Sequence, residues 1–296
     1  MQFFEILKAI ILGIVEGVTE WLPVSSTGHL ILFGELLGFN VGADVHPGFL
    51  SEFSEMFNVV IQLGAILAVI VTFFSRLNPI KRGIDKAEQK SILNLWVKVC
   101  VASIPAAVVG LVLDKVIEIY SGRDIDGWLY NSLVVSLMLI VYGILFILIE
   151  RYNKNKEAVC NTVEEIGYKN AFLIGVFQML AIIPGTSRSG STILGSMLIG
   201  VSRTAAAEFS FFMAIPAMLG ASLIKLLGFV SFVSECSVAV PTLAWITLLV
   251  GSLVAFAVSM VAIKFLMEFV RRHSFAPFGV YRIILGAFVI GLYIFA

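Results

Sequence analysis

Glu16 and Glu20 stand four residues apart in an apolar run. On a helix that spacing puts both carboxylates on one face, as neighbours. Two adjacent like charges in hydrocarbon call for a counter-ion, a cation or a shared proton. A divalent metal suits them, because hard cations take carboxylate and phosphate oxygens together. The plainer alternative is a polar pair bonded to nearby backbone. Ser25, Ser26, Thr27, Gly28 and His29 follow directly. Their hydroxyls and turn amides can donate to phosphate oxygens, and a helix starting here would aim its N-terminal dipole at an anion. His29, three residues after Ser26, could serve as general base, general acid or phosphoryl acceptor. A second polar break, Pro184-Gly185-Thr186-Ser187-Arg188-Ser189-Gly190-Ser191-Thr192, adds Ser187, Ser189, Thr192 and Arg188. Arg188 is a permanent cation whose planar fork matches phosphate bidentately, although it could equally pair with a glutamate. Gly185 and Gly190 suit a phosphate cradle. The anion these donors fit best is phosphate. Walls of apolar chain around such a site imply an amphiphilic phosphate.

The elements that must position these groups belong in a membrane. The chain has 296 residues, 59% of them hydrophobic and only 14% charged, with a mean hydropathy of +1.00. A soluble domain is nearer half apolar and a quarter charged. Twenty basic residues balance twenty acidic ones, so no net field attracts a polyanion and nucleic-acid binding is disfavoured. Cys100, Cys160 and Cys236 are scattered, which argues against a disulfide framework or a zinc site. Glu5, Glu16 and Glu20 interrupt any apolar core of a signal peptide.

A spanning helix needs about 20 mostly apolar residues. Six segments fit: 53–75, 92–113, 128–150, 203–229, 241–268 and 280–296. Residues 3–37 and 170–201 are apolar too, but each is broken in the middle, leaving halves too short to span. Each reads as a re-entrant hairpin, whose irregular backbone needs protein or a watery cavity around it. Five basic residues lie in 76–90, four in 151–169 and three in 264–272. None lies in 38–52 or 230–240, and 114–127 has only Lys115 and Arg123 among four acids. The basic loops should therefore be cytoplasmic. The first hairpin then enters and leaves from outside, and the second from inside. The expected fold is all-α and integral to the membrane, with six transmembrane helices and two re-entrant helical hairpins in an inverted-topology repeat. Residues 1–150 form the first repeat, 151–169 a cytoplasmic linker and 170–296 the second repeat. Such repeats place their site where the halves meet.

Other polar residues are expected to do less. Lys98 and Lys225 should snorkel from helix ends. Arg203 and Glu208 should pair locally, Arg282 stands near the inner end of the last helix with function and structure equally open, and His46 and His273 should face solvent. The 24 phenylalanines should face lipid or core.

At these residues the chain resembles the bacterial undecaprenyl-diphosphate phosphatase family, also called the bacitracin-resistance phosphatases. The resemblance covers nearly the whole chain. It rests on Val15-Glu16-Gly17 through Glu20, on Pro23-Val24-Ser25-Ser26-Thr27-Gly28-His29, and on Pro184-Gly185-Thr186-Ser187-Arg188-Ser189-Gly190. Ile61-Gln62-Leu63-Gly64, Gly200-Val201-Ser202-Arg203, Glu208-Phe209-Ser210-Phe211 and Tyr281-Arg282 support it. Asn58 departs from it, since related sequences often carry an acid there.

The resemblance implies hydrolysis of undecaprenyl diphosphate to undecaprenyl phosphate and phosphate, recycling the lipid carrier for cell-wall synthesis. It implies a divalent cation, Mg2+ or Ca2+, and resistance to bacitracin, which competes for the substrate. It implies a multi-pass protein of the bacterial cytoplasmic membrane with an outward-facing site. By motif position, Glu16 and Glu20 are the metal or acid–base carboxylates. Ser26 and His29 are nucleophile candidates, with water under Glu20 as a third, and Arg188 is the diphosphate clamp. Ser25, Thr27, Ser187, Ser189 and Thr192 line the substrate. The expected partners are a polyprenyl diphosphate and membrane lipid, with a homodimer left open. The rival phosphatase superfamily with Ser-Gly-His and Ser-Arg motifs is rejected, because its second histidine and downstream aspartate are missing. The rival of another class is a transporter, or flippase, of a polyprenyl phosphate lipid.

Overall fold

A computed structural model describes residues 2–121 and 132–295. All named elements among these residues are helical, and the extended pairing is one isolated bridge between Cys160 and Val201. In chain order the helices are α1 (Gln2–Thr19), α2 (Ser26–Leu37), α3 (Phe49–Val60), α4 (Gln62–Thr72), α5 (Phe74–Leu77), α6 (Lys86–Ser121) and α7 (Ser132–Asn153). Then come α8 (Tyr168–Gln178), a 3-10 turn over Met179–Ile182, α9 (Arg188–Leu198), α10 (Arg203–Glu235), α11 (Thr242–Arg272) and α12 (Ala276–Phe295).

Five stretches are long and apolar enough to cross a membrane: Phe49–Thr72, Lys86–Ile117, Leu133–Asn153, Arg203–Glu235 and Thr242–Arg272. They match five of the six expected spans, while the sixth, 280–296, falls in α12, whose apolar stretch is shorter. The expected loop 114–127 begins inside α6, which runs to Ser121. At about 1.5 Å per residue its 36 residues exceed the hydrocarbon thickness. Positions 122–131, including Arg123 and the start of the span 128–150, lie outside the described residues. The helices carry Leu67, Val71, Val97, Val108, Leu223 and Leu253 on exposed faces, as lipid-facing helices must.

The described residues fall into two compact units. One takes those within Met1–Trp21, His29–Thr72 and Ala214–Lys264, and the other those within Leu22–Gly28, Phe73–Met213 and Phe265–Ala296. The first has an aromatic core: Phe39 lies 4.9 Å from Phe57 between ring centres, Phe49 stacks on Phe53 at 5.9 Å, and Phe229 meets Phe53 edge-on. Here α1 packs tightly on α11. A Cβ on Gly13 would lie 2.6 Å from the Gly251 carbonyl, so only glycine admits this approach.

In the second unit α7 and α12 cross at a reciprocal contact. A Cβ on Gly143 would stand 2.6 Å from the Gly279 carbonyl, and one on Gly279 would stand 2.6 Å from the Gly143 carbonyl. Ile283 flanks the first contact and Ile147 the second, each four residues past the glycine. The two helices are therefore related locally by a two-fold axis.

Polar contacts correct two expectations. Arg203 and Glu208 do not pair with each other, since five residues on a helix place them on different faces. Arg203 binds Glu150, whose Oε1 also accepts the Phe275 N–H at 2.7 Å. Glu208 pairs with Arg76, which also binds Glu164 at 2.6 Å. Lys98 does not snorkel: it is buried and donates to the Glu164 carbonyl at 2.7 Å. Lys225 reaches Glu55 at 3.1 Å.

Candidate functional site

The acidic pair sits where α1 ends. The Glu20 N–H donates to the Glu16 carbonyl at 3.0 Å, which places the two carboxylates one turn apart, and both are buried. Gly17 lies between them in the chain, where a Cβ would come within 2.9 Å of the Ala255 carbonyl. The Ser259 hydroxyl donates to the Gly17 carbonyl at 3.3 Å. The small face of α1 thus lets α11 close over this turn.

The two polar breaks share one construction. In the first, Ser25 holds φ +74° and its Oγ accepts the Gly28 N–H at 3.4 Å. In the second, Ser187 holds φ +71° and its Oγ accepts the Gly190 N–H at 3.1 Å. Each serine caps the helix that follows, α2 from Ser26 and α9 from Arg188. A positive φ at a non-glycine residue costs on the order of 1–3 kcal/mol and persists only where the surroundings impose it. Residue by residue, Ser26 matches Arg188, Thr27 matches Ser189, and Gly28 matches Gly190. Each turn opens a helix and so presents the positive end of a helix dipole, a feature that favours anions.

Neighbours fix both turns. A Cβ on Gly28 would meet Val135 at 3.2 Å, and one on Gly185, at φ +89°, would lie 2.5 Å from the Val135 carbonyl. One residue of α7 therefore touches both breaks. Arg188 Nη1 donates to the Ser210 carbonyl at 2.7 Å, and the Thr192 and Ser210 hydroxyls lie 2.7 Å apart. The Thr192 hydroxyl is fully buried and also lies within bonding distance of the Arg188 carbonyl. It braces α9. The Ser187 and Ser189 hydroxyls lie 3.1 Å apart, and Ser187 and Thr27 are part-exposed while Ser26 and His29 are buried. His29 stands one turn beyond Ser26 on α2.

Arg282 joins the breaks. It is fully buried, and its Nη1 donates to the Pro23 carbonyl at 3.1 Å. Its Nη2 donates to the carbonyls of Gly185, at 2.6 Å, and Thr186, at 3.0 Å. The guanidinium lies over the Tyr142 ring, whose hydroxyl accepts from Ser191 at 3.1 Å.

No group of three or more His, Cys, Asp or Glu side chains able to hold a metal occurs among the described residues. The buried Glu16 and Glu20 still fit a hard divalent cation that fills its other positions with water and phosphate oxygens. They do not fit a closed structural site.

The family described as bacitracin resistance protein BacA matches residues 9–288. The chain belongs to that family. Among similar proteins, one named undecaprenyl-diphosphatase from Enterococcus faecalis is 50% identical over 300 residues, covering 100% of both chains. Another of that name, from Acetivibrio thermocellus, is 50% identical over 286 residues and 97% of each chain. A third, from Streptococcus mutans, is 50% identical over 97% of this chain and 95% of its own.

Reading this BacA-family sequence by motif leaves three structural roles undetected. Arg282 joins the breaks, Ser210 holds Arg188, and Tyr142 links Arg282 to α9. A signal existed for Arg282, because a cation inside an apolar helix usually marks a site. Ser210 stands within a motif that also looks like ordinary helix. Nothing local distinguishes Tyr142.

Proposed function

We propose that this chain hydrolyses undecaprenyl diphosphate to undecaprenyl phosphate and inorganic phosphate, returning the lipid carrier to cell-wall synthesis. The observation that carries the reading is the pair of matched serine-capped turns, one offering Ser26 and the other Arg188, in a chain half identical to proteins named for this reaction. Anion-binding turns explain the phosphate, and the apolar surround explains the prenyl tail.

In this reading Ser26 attacks the terminal phosphorus and His29 takes its proton. The Oγ–P bond forms as the bridging P–O bond breaks, and undecaprenyl phosphate leaves. Water then cleaves the phosphoserine and releases phosphate. Arg188 and the turn amides stabilise charge on the transferred phosphoryl group, and positioning with electrostatics supplies most of the acceleration. Glu16 and Glu20 would hold a divalent cation, which would supply positive charge for the phosphoryl transfer. Thr27, Ser187 and Ser189 orient the diphosphate.

The finer architecture belongs to the same proposal. Six spans and two re-entrant hairpins form an inverted repeat, with 1–150 and 170–296 as its halves and 151–169 as a cytoplasmic linker. The matched turns and the reciprocal Gly143–Gly279 contact support it. The site faces outward from the bacterial cytoplasmic membrane, where bacitracin competes for the substrate. A homodimer is not required by the chemistry. The test is phosphate release from a prenyl diphosphate by purified protein in detergent, with and without chelator. Tight binding without turnover would support a lipid-phosphate transporter, which the local two-fold relation of the helices also suits.

A further inference from the structure

Among the described residues the charge of Arg282 is answered by neutral groups. Its acceptors are three backbone carbonyls, and Tyr142 offers a ring face. It makes no ion pair among the described residues, and its Nε is buried without a hydrogen-bond partner. A buried cation without a carboxylate is costly to keep. Its surroundings raise that cost, because the N-termini of α2 and α9, both positive dipole ends, begin only a few residues from its acceptors. Such a cluster of positive ends is stabilised by an anion.

The acceptors are also matched. Pro23 and Gly185 each stand two residues before the left-handed serine of their turn. One guanidinium therefore grips the same point of both turns, Nη1 on one and Nη2 on the other. The fork is planar and rigid, so it fixes the separation of its two acceptors. The local two-fold relation of α7 and α12 pairs Gly143 with Gly279, and so pairs Phe146 with Arg282. The position is thus a cation in one helix and a buried phenylalanine in the other. A purely structural repeat has no need of that asymmetry.

We infer that Arg282 is a positioning residue that holds the Ser26 turn and the Arg188 turn in register, and that its uncompensated charge adds to the affinity of the site for a diphosphate. Its effect on turnover rests on the hydrolase reading above; its geometry does not. The side chain does not take part in bond making, since its Nη groups are committed to the carbonyls.

The test uses the full-length protein in detergent and two variants, Arg282→Lys and Arg282→Gln. Turnover of undecaprenyl diphosphate is measured, and inorganic pyrophosphate serves as a probe that needs no turnover, read by its shift of Tm. Both variants should lose kcat by about a hundredfold or more, because neither can grip both turns with a fork. Lysine should keep most of the pyrophosphate-induced shift and glutamine should lose it. Turnover within threefold of wild type in either variant overturns the register role. A full pyrophosphate shift in the glutamine variant, or none in the wild type, overturns the charge role. Failure of both variants to fold makes Arg282 a structural residue and overturns both. If the wild type itself releases no phosphate, the hydrolase reading fails, while the pyrophosphate shift still reports on Arg282.

Discussion

Ser26 and Arg188 occupy the same position in two turns of one design: each is the first residue of its helix, directly after a serine held at positive φ. One position offers a nucleophile and the other a cation. If they work on one phosphoryl group, their loss should look different. Ser26→Ala should abolish turnover and leave binding of pyrophosphate nearly intact. Arg188→Lys should bind less well and turn over about two to three decades more slowly, equivalent to roughly 2–4 kcal/mol. Normal turnover of the lysine variant would show that Arg188 supplies charge alone.

The acidic pair should be needed for chemistry rather than folding. Glu16→Gln and Glu20→Gln should each cut turnover severely while the protein stays folded, because the two buried carboxylates stand one turn apart, as a cation or a proton relay needs. Excess Mg2+ or Ca2+ should partly restore a single variant. Near-normal activity of the double variant at saturating cation would remove both residues from the mechanism.

The strained serines give a prediction about stability alone. At Ser25 and Ser187, alanine loses the cap and keeps the unfavourable φ, so it should cost about 1 kcal/mol. Glycine loses the cap and relieves the φ, so it should be the milder change at both positions. Thermal melts of the four variants in detergent check this; alanine proving milder than glycine would mean that the turns are not held left-handed.

Outside the spans, Glu164 gives the fold a pH dependence. Partial desolvation would raise its pKa, but the hydrogen bond and charge of Arg76, together with backbone and Thr162 hydrogen bonds, outweigh that and hold the carboxyl below its ordinary range. A folded-state pKa below the unfolded one gives stability that is present above the unfolded value and lost as pH falls through the folded one. Acidification below the ordinary glutamate range should therefore lower Tm, and Glu164→Gln should flatten that dependence. An unchanged slope in the variant would assign the acid sensitivity to other groups.

Topology is tested by single cysteines in a background lacking Cys100, Cys160 and Cys236. Those placed in 38–52 and 230–240 should react with impermeant reagents in intact cells, and those in 76–90 and 151–169 should not. Labelling of 38–52 and 151–169 from the same side would refute the inverted arrangement.

Much of this was legible in the residues. Apolar length alone finds five of the long helices, and the polar breaks mark where α2 and α9 start. The motifs are local, so Glu16, Ser26 and Arg188 stand out directly as candidates. What could not be read depends on contacts across the chain. Arg282 is separated from Pro23 by 259 positions, and its role lies in main-chain carbonyls that carry no sequence signature. The left-handed serines were hidden for a similar reason, since local preference argues against that conformation and tertiary packing imposes it. Arg203 and Glu208 are close in sequence, but five residues along a helix turn them to different faces, and their partners Glu150 and Arg76 come from elsewhere in the chain.

The central claim is a phosphatase whose nucleophile and clamp sit in twin turns. It is tested most directly by incubating purified protein in detergent with undecaprenyl diphosphate labelled on its terminal phosphate, quenching in acid and locating the label. The account predicts steady release of labelled phosphate and a transient label on the peptide carrying Ser26, absent in Ser26→Ala. Label on His29 would reassign the nucleophile, and bound but intact substrate after many minutes would contradict the account.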